Sequence, residues 1–114
     1  MESTSFIGRR AETKIVRTRY PDQIPIITKI RPGSQLPDNL NGARFRAKAD
    51  LIMSDFLKVV RKKMNLPRDR ALVMFASDRE MITGEQQLGE VYFKHADRDG
   101  FLYFWCYDQS CLGC

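Results

Sequence analysis

The sequence of 114 residues predicts an α+β fold, a four-stranded mixed sheet packed on a central helix with a helical extension at the N-terminus. The first observation is one amphipathic stretch over residues 53–66, whose apolar side chains recur on one helical face at Met53, Leu57, Val60 and Met64. The second is that two strand-like segments precede this stretch and two follow it. Four strands covering one helix make a two-layer structure that buries the apolar stripe.

Charge is unevenly distributed along the chain. The net charge is +5, and residues 1–63 carry 14 Lys or Arg against 6 Asp or Glu, whereas residues 64–114 carry 5 against 8. A basic front half favours an acidic partner, which charge alone does not identify. The start of the chain has no hydrophobic signal region, and no apolar run approaches the ~18 residues of a membrane span. We therefore expect a cytosolic or nuclear protein.

One helix and two strands are predicted before the central helix. Residues 1–10 are polar and mixed, and we expect them to be mobile or to form one short turn of helix. Residues 12–20 favour a helix that ends before the following proline, because the residue before a proline avoids the helical conformation. The β-branched residues 24–30 predict a strand, followed by a loop rich in Pro and Gly at 31–43. Residues 44–49 alternate charged and apolar side chains, which is typical of an edge strand.

The central helix and the segments after it complete the predicted sheet. Ser54 is expected to cap the helix at its N-terminus. Residues 71–76 are continuously apolar, which predicts an inner strand buried on both faces. Thr83 and Gln86 have the spacing of a capping box at the start of a second helix. The aromatic residues 101–107 predict the central strand of the sheet.

This order of elements is that of a ubiquitin-like β-grasp domain. We therefore divide the chain into a helical extension at 1–23, a ubiquitin-like domain at 24–107 and a flexible tail at 108–114. The central helix also carries a second apolar pair, Phe56 and Val59, which is rotated off the core stripe. Another element has to cover this pair, unless it is a docking surface.

The side chains capable of metal binding or nucleophilic chemistry do not combine into a convincing site. The candidate zinc ligands are His95, Cys106, Cys111 and Cys114. Against this reading, Cys106 belongs to a predicted core strand and His95 continues an apolar helical face. A Cys–His nucleophile would lack a third orienting group, and the turn at 97–100 lacks the acidic first and twelfth positions of a calcium loop. We predict no enzyme activity, no metal and no cofactor.

Three separated motifs resemble the autophagy ubiquitin-like modifiers, the relatives of GABARAP and the microtubule-associated light chains. The motifs are YPDQIPII at 20–27, KADLIMSDFLKVVRKKMNLP at 48–67 and KHADRDGFLYFWCY at 94–107. The resemblance covers residues 11–113, nearly the whole chain. It implies a modifier of autophagy rather than an enzyme, cytoplasmic with a lipidated pool on autophagosomal membranes.

The resemblance implies a processing and conjugation site near the C-terminus. In this family a cysteine protease cleaves after a glycine, and ubiquitin-type activating and conjugating enzymes join that glycine to phosphatidylethanolamine. Gly113 matches the glycine and Cys114 is the residue removed. A glycine suits a narrow active-site channel because it has no side chain. Leu112 stands where the family usually has an aromatic residue, and we expect processing to survive this exchange between apolar side chains.

The resemblance also implies a groove at the edge of the second strand for peptides of the form aromatic-x-x-aliphatic, flanked by acids, on cargo receptors and adaptors. The first pocket maps to Glu12, Val16, Pro25, Ile27 and Phe101. The second pocket maps to Phe45, Ala47, Leu51, Phe56 and Val59. The flanking acids would meet Arg44, Arg46 and Lys48. Arg46 and Lys48 replace a usual aliphatic residue and a frequent proline, so we expect a stronger dependence on acids in the ligand.

The alternative hypothesis is a basic adaptor that is never conjugated. It would bind tubulin, acidic lipid or nucleic acid through the cations Arg9, Arg10, Lys14, Arg17 and Arg19. The modifier hypothesis also allows tubulin as a partner and expects no nucleic acid. The two hypotheses differ at Gly113, since an adaptor would tolerate Gly113→Ala and a conjugated modifier would not.

Overall fold

The computed structural model of the chain describes residues 4–77, 80–82 and 84–108. Within these ranges the chain forms three α-helices, five strands and one short 3-10 turn at Asp38–Leu40. The helices are α1 (Thr4–Arg19), α2 (Met53–Lys63) and α3 (Leu88–His95). The strands are β1 (Gln23–Ile30), β2 (Ala43–Lys48), β3 (Leu72–Ala76), β4 (Glu80–Met81) and β5 (Leu102–Asp108).

The strands form one mixed sheet in the order β2-β1-β5-β3-β4. β1 and β5 are parallel, and the other neighbouring strands are antiparallel. β5 lies at the centre and β2 at one edge, as the aromatic and the alternating segments predicted. The α+β class, the mixed sheet and the N-terminal helix are confirmed. The two-residue strand β4 adds a fifth strand to the predicted four.

The main core lies between α2 and one face of the sheet. Successive residues of a strand point to opposite faces, and Phe45 of β2 and Phe104 of β5 are buried on the face toward α2. The Phe56 ring of α2 lies 5.7 Å from each of these two rings. Phe56, which was predicted to lie beside the core stripe, is therefore at the centre of the core. Leu57 and Met64, predicted as part of the stripe, are only half-buried and pack at its margin.

The first helix, α1, lies over the opposite face of the sheet. Arg44 of β2 points to that face, because its neighbour Phe45 points toward α2. Glu12 of α1 accepts a hydrogen bond from Arg44, with 2.8 Å between Nε and Oε2. In the register of the sheet, Ile27 of β1 pairs with Arg44 and so lies on the same face, as does Pro25. The sheet is thus covered by α2 on one side and by α1 on the other.

The helix α1 begins eight residues earlier than predicted. Residues 4–10, expected to be mobile or to form one turn, are helical, while residues 1–3 lie outside the described ranges. Contacts distant in sequence accompany this part of the helix. The Arg9 guanidinium pairs with Asp99, and Arg98 lies 5.8 Å from the centre of the Phe6 ring. The composition of residues 1–10 alone does not reveal contacts with residues that are distant in sequence.

Both ends of α2 differ from the prediction. Ile52, rather than Ser54, is the N-terminal cap and makes no side-chain capping bond. The amides of Met53 and Ser54 instead donate to backbone carbonyls of the segment before α3. The helix stops at Lys63 because Asn65 adopts a left-handed conformation with φ 52°. Amides 65 and 66 then bond back to carbonyls 62 and 61, which is a Schellman motif.

Two further predictions are corrected. β3 is not buried on both faces, because Leu72, Met74 and Ala76 are buried toward α2 while the alternate residues are half-buried. The predicted helix start at Thr83 is also wrong, because α3 begins after Gln87, which makes no side-chain capping bond. Thr83 itself, the first residue of the predicted capping box, lies outside the described residues. In the part of the chain that the structure describes, no helix has the length and apolar character to cross a membrane.

Candidate peptide-binding groove

The edge formed by β2 can accept another strand. The Ala49 amide donates to the Asp22 carbonyl at 2.8 Å, and hydrogen-bonded pairs alternate along an antiparallel ladder. Counting from this pair, the pair of Pro25 with Arg46 is one that exchanges no hydrogen bonds. The ladder between β1 and β2 therefore loses no hydrogen bond through the missing N–H of Pro25, which explains a proline in this strand.

The outward backbone groups of β2 belong to its three cationic residues. By the same alternation, the N–H and C=O groups that point away from β1 are those of Arg44, Arg46 and Lys48, and the Lys48 carbonyl already accepts a hydrogen bond from the Leu51 amide at 3.1 Å. Among the described residues, no strand pairs with this edge. An extended peptide would meet backbone donors and acceptors there at the spacing of a strand.

A groove of about 430 Å³ lies beside this edge, between β2, α1 and α2. Four of the five residues predicted for the first pocket line it, namely Glu12, Val16, Pro25 and Phe101. Phe101 is buried, and its ring contributes to the groove floor. Ile27, the fifth residue, is buried and does not line the groove.

The second predicted pocket is only partly assembled. Phe45 and Val59 line the same groove, and Val59 is 48% exposed. Ala47 and Leu51 are half-buried against the core, and Phe56 lies within it. These three residues do not line the groove. The structure therefore brings together the first pocket and one side of the second.

Arg44 lies across the first pocket. Its guanidinium is 5.5 Å from the centre of the Phe101 ring and is paired with Glu12. Both partners of this ion pair are more than one third exposed, and such a pair contributes at most ~1 kcal/mol. A ligand carboxylate can therefore compete for Arg44 at little cost.

Two other cations border the groove. Arg46, which was predicted, lies 4.0 Å from the centre of the Tyr20 ring. Lys63, which was not predicted, lines the groove with its ammonium 4.8 Å from the centre of the Phe45 ring. The signal that could have identified Lys63 is its spacing of four residues from Val59, which places both on one face of α2. Lys48 is exposed at the end of the strand.

A buried carboxylate, Asp99, connects α1 to the loop before β5. Its oxygens accept hydrogen bonds from the Arg9 guanidinium at 2.8 Å, from the Phe101 amide at 2.9 Å and from the Tyr103 hydroxyl. Burial alone would raise the pKa of Asp99, but these hydrogen bonds outweigh it and hold the pKa below its ordinary value. Burial and the bond to Asp99 raise the pKa of Tyr103. The sequence had assigned Asp99 only to a turn.

Two of the candidate nucleophiles and metal ligands, His95 and Cys106, lie in the described part of the chain. Cys106 is buried in β5, and burial raises its pKa to about 12, so the thiol is protonated at neutral pH. His95 does not continue an apolar face, because its ring nitrogens lie 2.9 Å from Ser77 Oγ and 2.6 Å from Glu80 Oε2. Within the described ranges, no group of three or more His, Cys, Asp or Glu side chains is placed to hold a metal.

The predictions for the C-terminus fall on residues outside the described part of the chain. They concern Cys111, Leu112, Gly113 and Cys114. Of the cations of the adaptor hypothesis, Arg9 is paired with Asp99, and Arg17 lies 5.0 Å from the centre of the Tyr92 ring. Arg10, Lys14 and Arg19 are exposed on α1.

Comparison with known proteins gives a consistent result. The family model described as autophagy protein Atg8, ubiquitin like, matches residues 8–113. The chain is similar to autophagy-related protein 8e of Arabidopsis thaliana, with 32% identity over 95% of this chain and 87% of that protein. It is 26% identical to human microtubule-associated protein 1 light chain 3 gamma, over 96% of this chain and 75% of that protein. The crystal structure of Trypanosoma brucei ATG8 superposes with a TM-score of 0.82 at 28% identity, covering 96% of this chain and 97% of that one.

Proposed function

The chain belongs to the Atg8 family of ubiquitin-like autophagy proteins, and we propose that it is a modifier conjugated to phosphatidylethanolamine through Gly113. On the autophagosomal membrane it recruits cargo receptors and adaptors that carry aromatic-x-x-aliphatic motifs. The observation that carries the proposal is the groove beside the open edge of β2. Backbone pairing and a side-chain pocket occur together there, and an extended peptide needs both.

The peptide adds a strand to β2. Its backbone pairs with the outward N–H and C=O groups of the edge, and its aromatic side chain enters the pocket over Phe101. The aliphatic side chain, three residues further on, packs beside Phe45 and Val59. Acidic residues flanking the motif meet Arg44 and Arg46.

Conjugation uses the C-terminal residues. A cysteine protease hydrolyses the amide bond after Gly113, which releases Cys114 and leaves a free glycine carboxylate. A ubiquitin-type activating enzyme adenylates that carboxylate with ATP and releases pyrophosphate, and a cysteine thiol of the enzyme then displaces AMP to form a thioester. The thioester passes to a thiol of the conjugating enzyme, and the amine of phosphatidylethanolamine displaces that thiol to form an amide. The family match supports this step because it extends to residue 113. The modifier itself catalyses none of these steps.

The backbone pairing is tested with two variants of one residue. Arg46→Pro removes an outward N–H without removing a bond to β1, because residue 46 faces Pro25 at a pair without hydrogen bonds. Arg46→Ala keeps the N–H and loses the same cation, including its contact with Tyr20. We expect Arg46→Pro to bind an acidic motif peptide about tenfold more weakly than Arg46→Ala, measured by calorimetric titration. Equal affinities of the two variants for the peptide would contradict backbone pairing with β2.

The contribution of the cations is tested with salt. Because the edge is cationic, we expect the affinity for a peptide with acidic flanks to fall as ionic strength rises. A peptide with the same core and neutral flanks should show a much smaller change. An affinity for the acidic peptide that stays constant with salt would contradict the assigned role of Arg44, Arg46 and Lys48.

Conjugation is tested by intact mass in soluble and membrane fractions of nutrient-starved cells. The wild type should lose Cys114, and its membrane pool should be heavier by one phosphatidylethanolamine. Gly113→Ala should give no lipidated species, whereas Gly8→Ala, the same substitution at an exposed site of α1 where a Cβ meets no neighbour, should behave as the wild type. A single species ending in Cys114 in both fractions would favour the adaptor that is never conjugated.

A further inference from the structure

The helix α1 binds the sheet through polar side chains. Arg9, Thr13 and Val16 follow one another at helical spacing on the face toward the sheet, and the first two make hydrogen bonds to Asp99 in the loop before β5. The large apolar residues Ile7 and Ile15 point outward and are 60% and 57% exposed. This arrangement reverses the usual one, in which the apolar stripe of a surface helix faces the core. Specific polar contacts must therefore hold α1 in place.

The principal contact is Asp99, whose side chain is fully buried. The Arg9 guanidinium reaches it from α1, and the Tyr103 hydroxyl reaches it from β5. The backbone carbonyl of the same residue accepts a hydrogen bond from Thr13 at 2.6 Å. The next residue, Gly100, has φ 93°, and a Cβ there would lie 2.4 Å from Thr13 Oγ1. The loop and the helix thus meet in a contact that leaves no space for a side chain.

The same carboxylate also holds the floor of the groove. The Phe101 amide donates to Asp99 Oδ1 at 2.9 Å, and the Phe101 ring lines the first pocket. The wall of that pocket is Glu12 and Val16, about one and two turns along α1 from Arg9. One buried acid is therefore bonded both to the helix that forms the wall and to the residue that forms the floor.

We propose that Asp99 is a positioning residue of the groove, which fixes α1 relative to Phe101 so that the first pocket exists before a peptide arrives. This inference rests on the proposed peptide-binding function. Asp99 is buried and does not line the groove, so it acts through Arg9, Thr13 and Phe101. A pocket that is already formed avoids the cost of ordering its wall when the peptide binds.

The test is a double-mutant cycle between protein and peptide. Asp99→Asn keeps the shape of the side chain and removes the charge that Arg9 needs. Asp97→Asn is the matched control, because it makes the same charge change at an exposed site in the same loop. Each protein is titrated with an intact motif peptide, with a peptide whose aromatic residue is alanine, and with one whose aliphatic residue is alanine.

A positioning role predicts a loss confined to the first pocket. Asp99→Asn should lower the affinity for the intact peptide, and for the peptide lacking the aliphatic residue, by about tenfold. The affinity for the peptide lacking the aromatic residue should change little. Asp97→Asn should change all three affinities by less than about twofold. An equal loss with all three peptides would indicate a general structural role and overturn the proposal, as would no loss with any.

Hydrogen exchange separates this proposal from the proposed function. Asp99→Asn should accelerate exchange of the α1 amides and leave the α2 amides unchanged, and unchanged α1 exchange would overturn the anchoring. If the wild type binds no motif peptide, the proposed function fails independently of the anchoring result. If Asp99→Asn does not fold, Arg9→Gln removes the same ion pair from a partly exposed position, with the adjacent exposed Arg10→Gln as its control.

Discussion

The two helices on opposite faces of the sheet are held by different physical interactions. α2 buries Met53, Phe56 and Val60 in the core and keeps its cations outside. α1 buries Thr13 and directs Arg9 to a buried carboxylate, while Ile7 and Ile15 are exposed. The first helix is held by polar bonds and the second by apolar burial.

This difference implies unequal cooperativity. Apolar burial contributes in proportion to area and involves many core residues at once, so α2 should unfold only with the whole domain. A net hydrogen bond contributes about 0.5–1.5 kcal/mol, or about 1.5–3 kcal/mol when it involves a charged group. Since α1 relies on a few such bonds, it can open locally while the sheet and α2 stay folded. The groove is then divided between a rigid element, β2 with α2, and a separable one, α1.

The largest expected effect comes from breaking the α2 side. Phe56 is 1% exposed and its ring contacts Phe45 and Phe104, so Phe56→Ala should lower the free energy of unfolding by about 3–5 kcal/mol. Val59→Ala, on the same helix at a half-exposed site, should change it by no more than ~0.5 kcal/mol. Urea denaturation followed by circular dichroism measures both. A loss below ~1 kcal/mol for Phe56→Ala would mean that α2 is not the cooperative element.

The sequence anticipates the α2 side of the molecule far better than the α1 side. The hydrophobic period of residues 53–66 and the aromatic run at 101–107 predicted the helix, the central strand and the mixed sheet, because burial leaves a periodic pattern in the chain. The start of α1 was missed because Arg9 is paired with a residue 90 positions away. The predicted caps failed for a similar reason, since backbone carbonyls of a distant segment cap the start of α2.

Some residues of the groove were predicted correctly and others were not. The family resemblance supplied Glu12, Val16, Pro25 and Phe101, which the structure brings together in one groove. It also supplied Ala47, Leu51 and Phe56, which lie in or against the core and do not line the groove. Correspondence by motif identifies which residues occupy a position, but the extent to which a pocket is open depends on side-chain packing. Asp99 was missed because its role requires knowing that the loop before β5 lies beneath α1.

An intermediate effect is expected at the contact between Gly100 and Thr13. Gly100→Ala places a Cβ 2.4 Å from Thr13 Oγ1 at φ 93°, so we expect a loss of about 1–3 kcal/mol in unfolding free energy and faster α1 exchange. Thr13→Ala removes the hydrogen bond to the Asp99 carbonyl. This substitution should lower the free energy of unfolding only in a protein in which that bond is formed. It should therefore destabilise the wild type more than the Gly100→Ala protein. Additive effects in this cycle would show that the two residues do not act through one contact.

The smallest effect is expected on the outer face of α1, and a pair of identical substitutions measures it. Ile15→Ala removes an exposed side chain and introduces a better helix former, so the unfolding free energy should stay within about 0.5 kcal/mol of the wild type. Ile26→Ala removes the same atoms from a fully buried position and should cost about 2–5 kcal/mol. Chemical denaturation of the two variants gives both values. A loss above ~1 kcal/mol for Ile15→Ala would mean that this face is covered in solution, and apolar burial would then contribute to both helices.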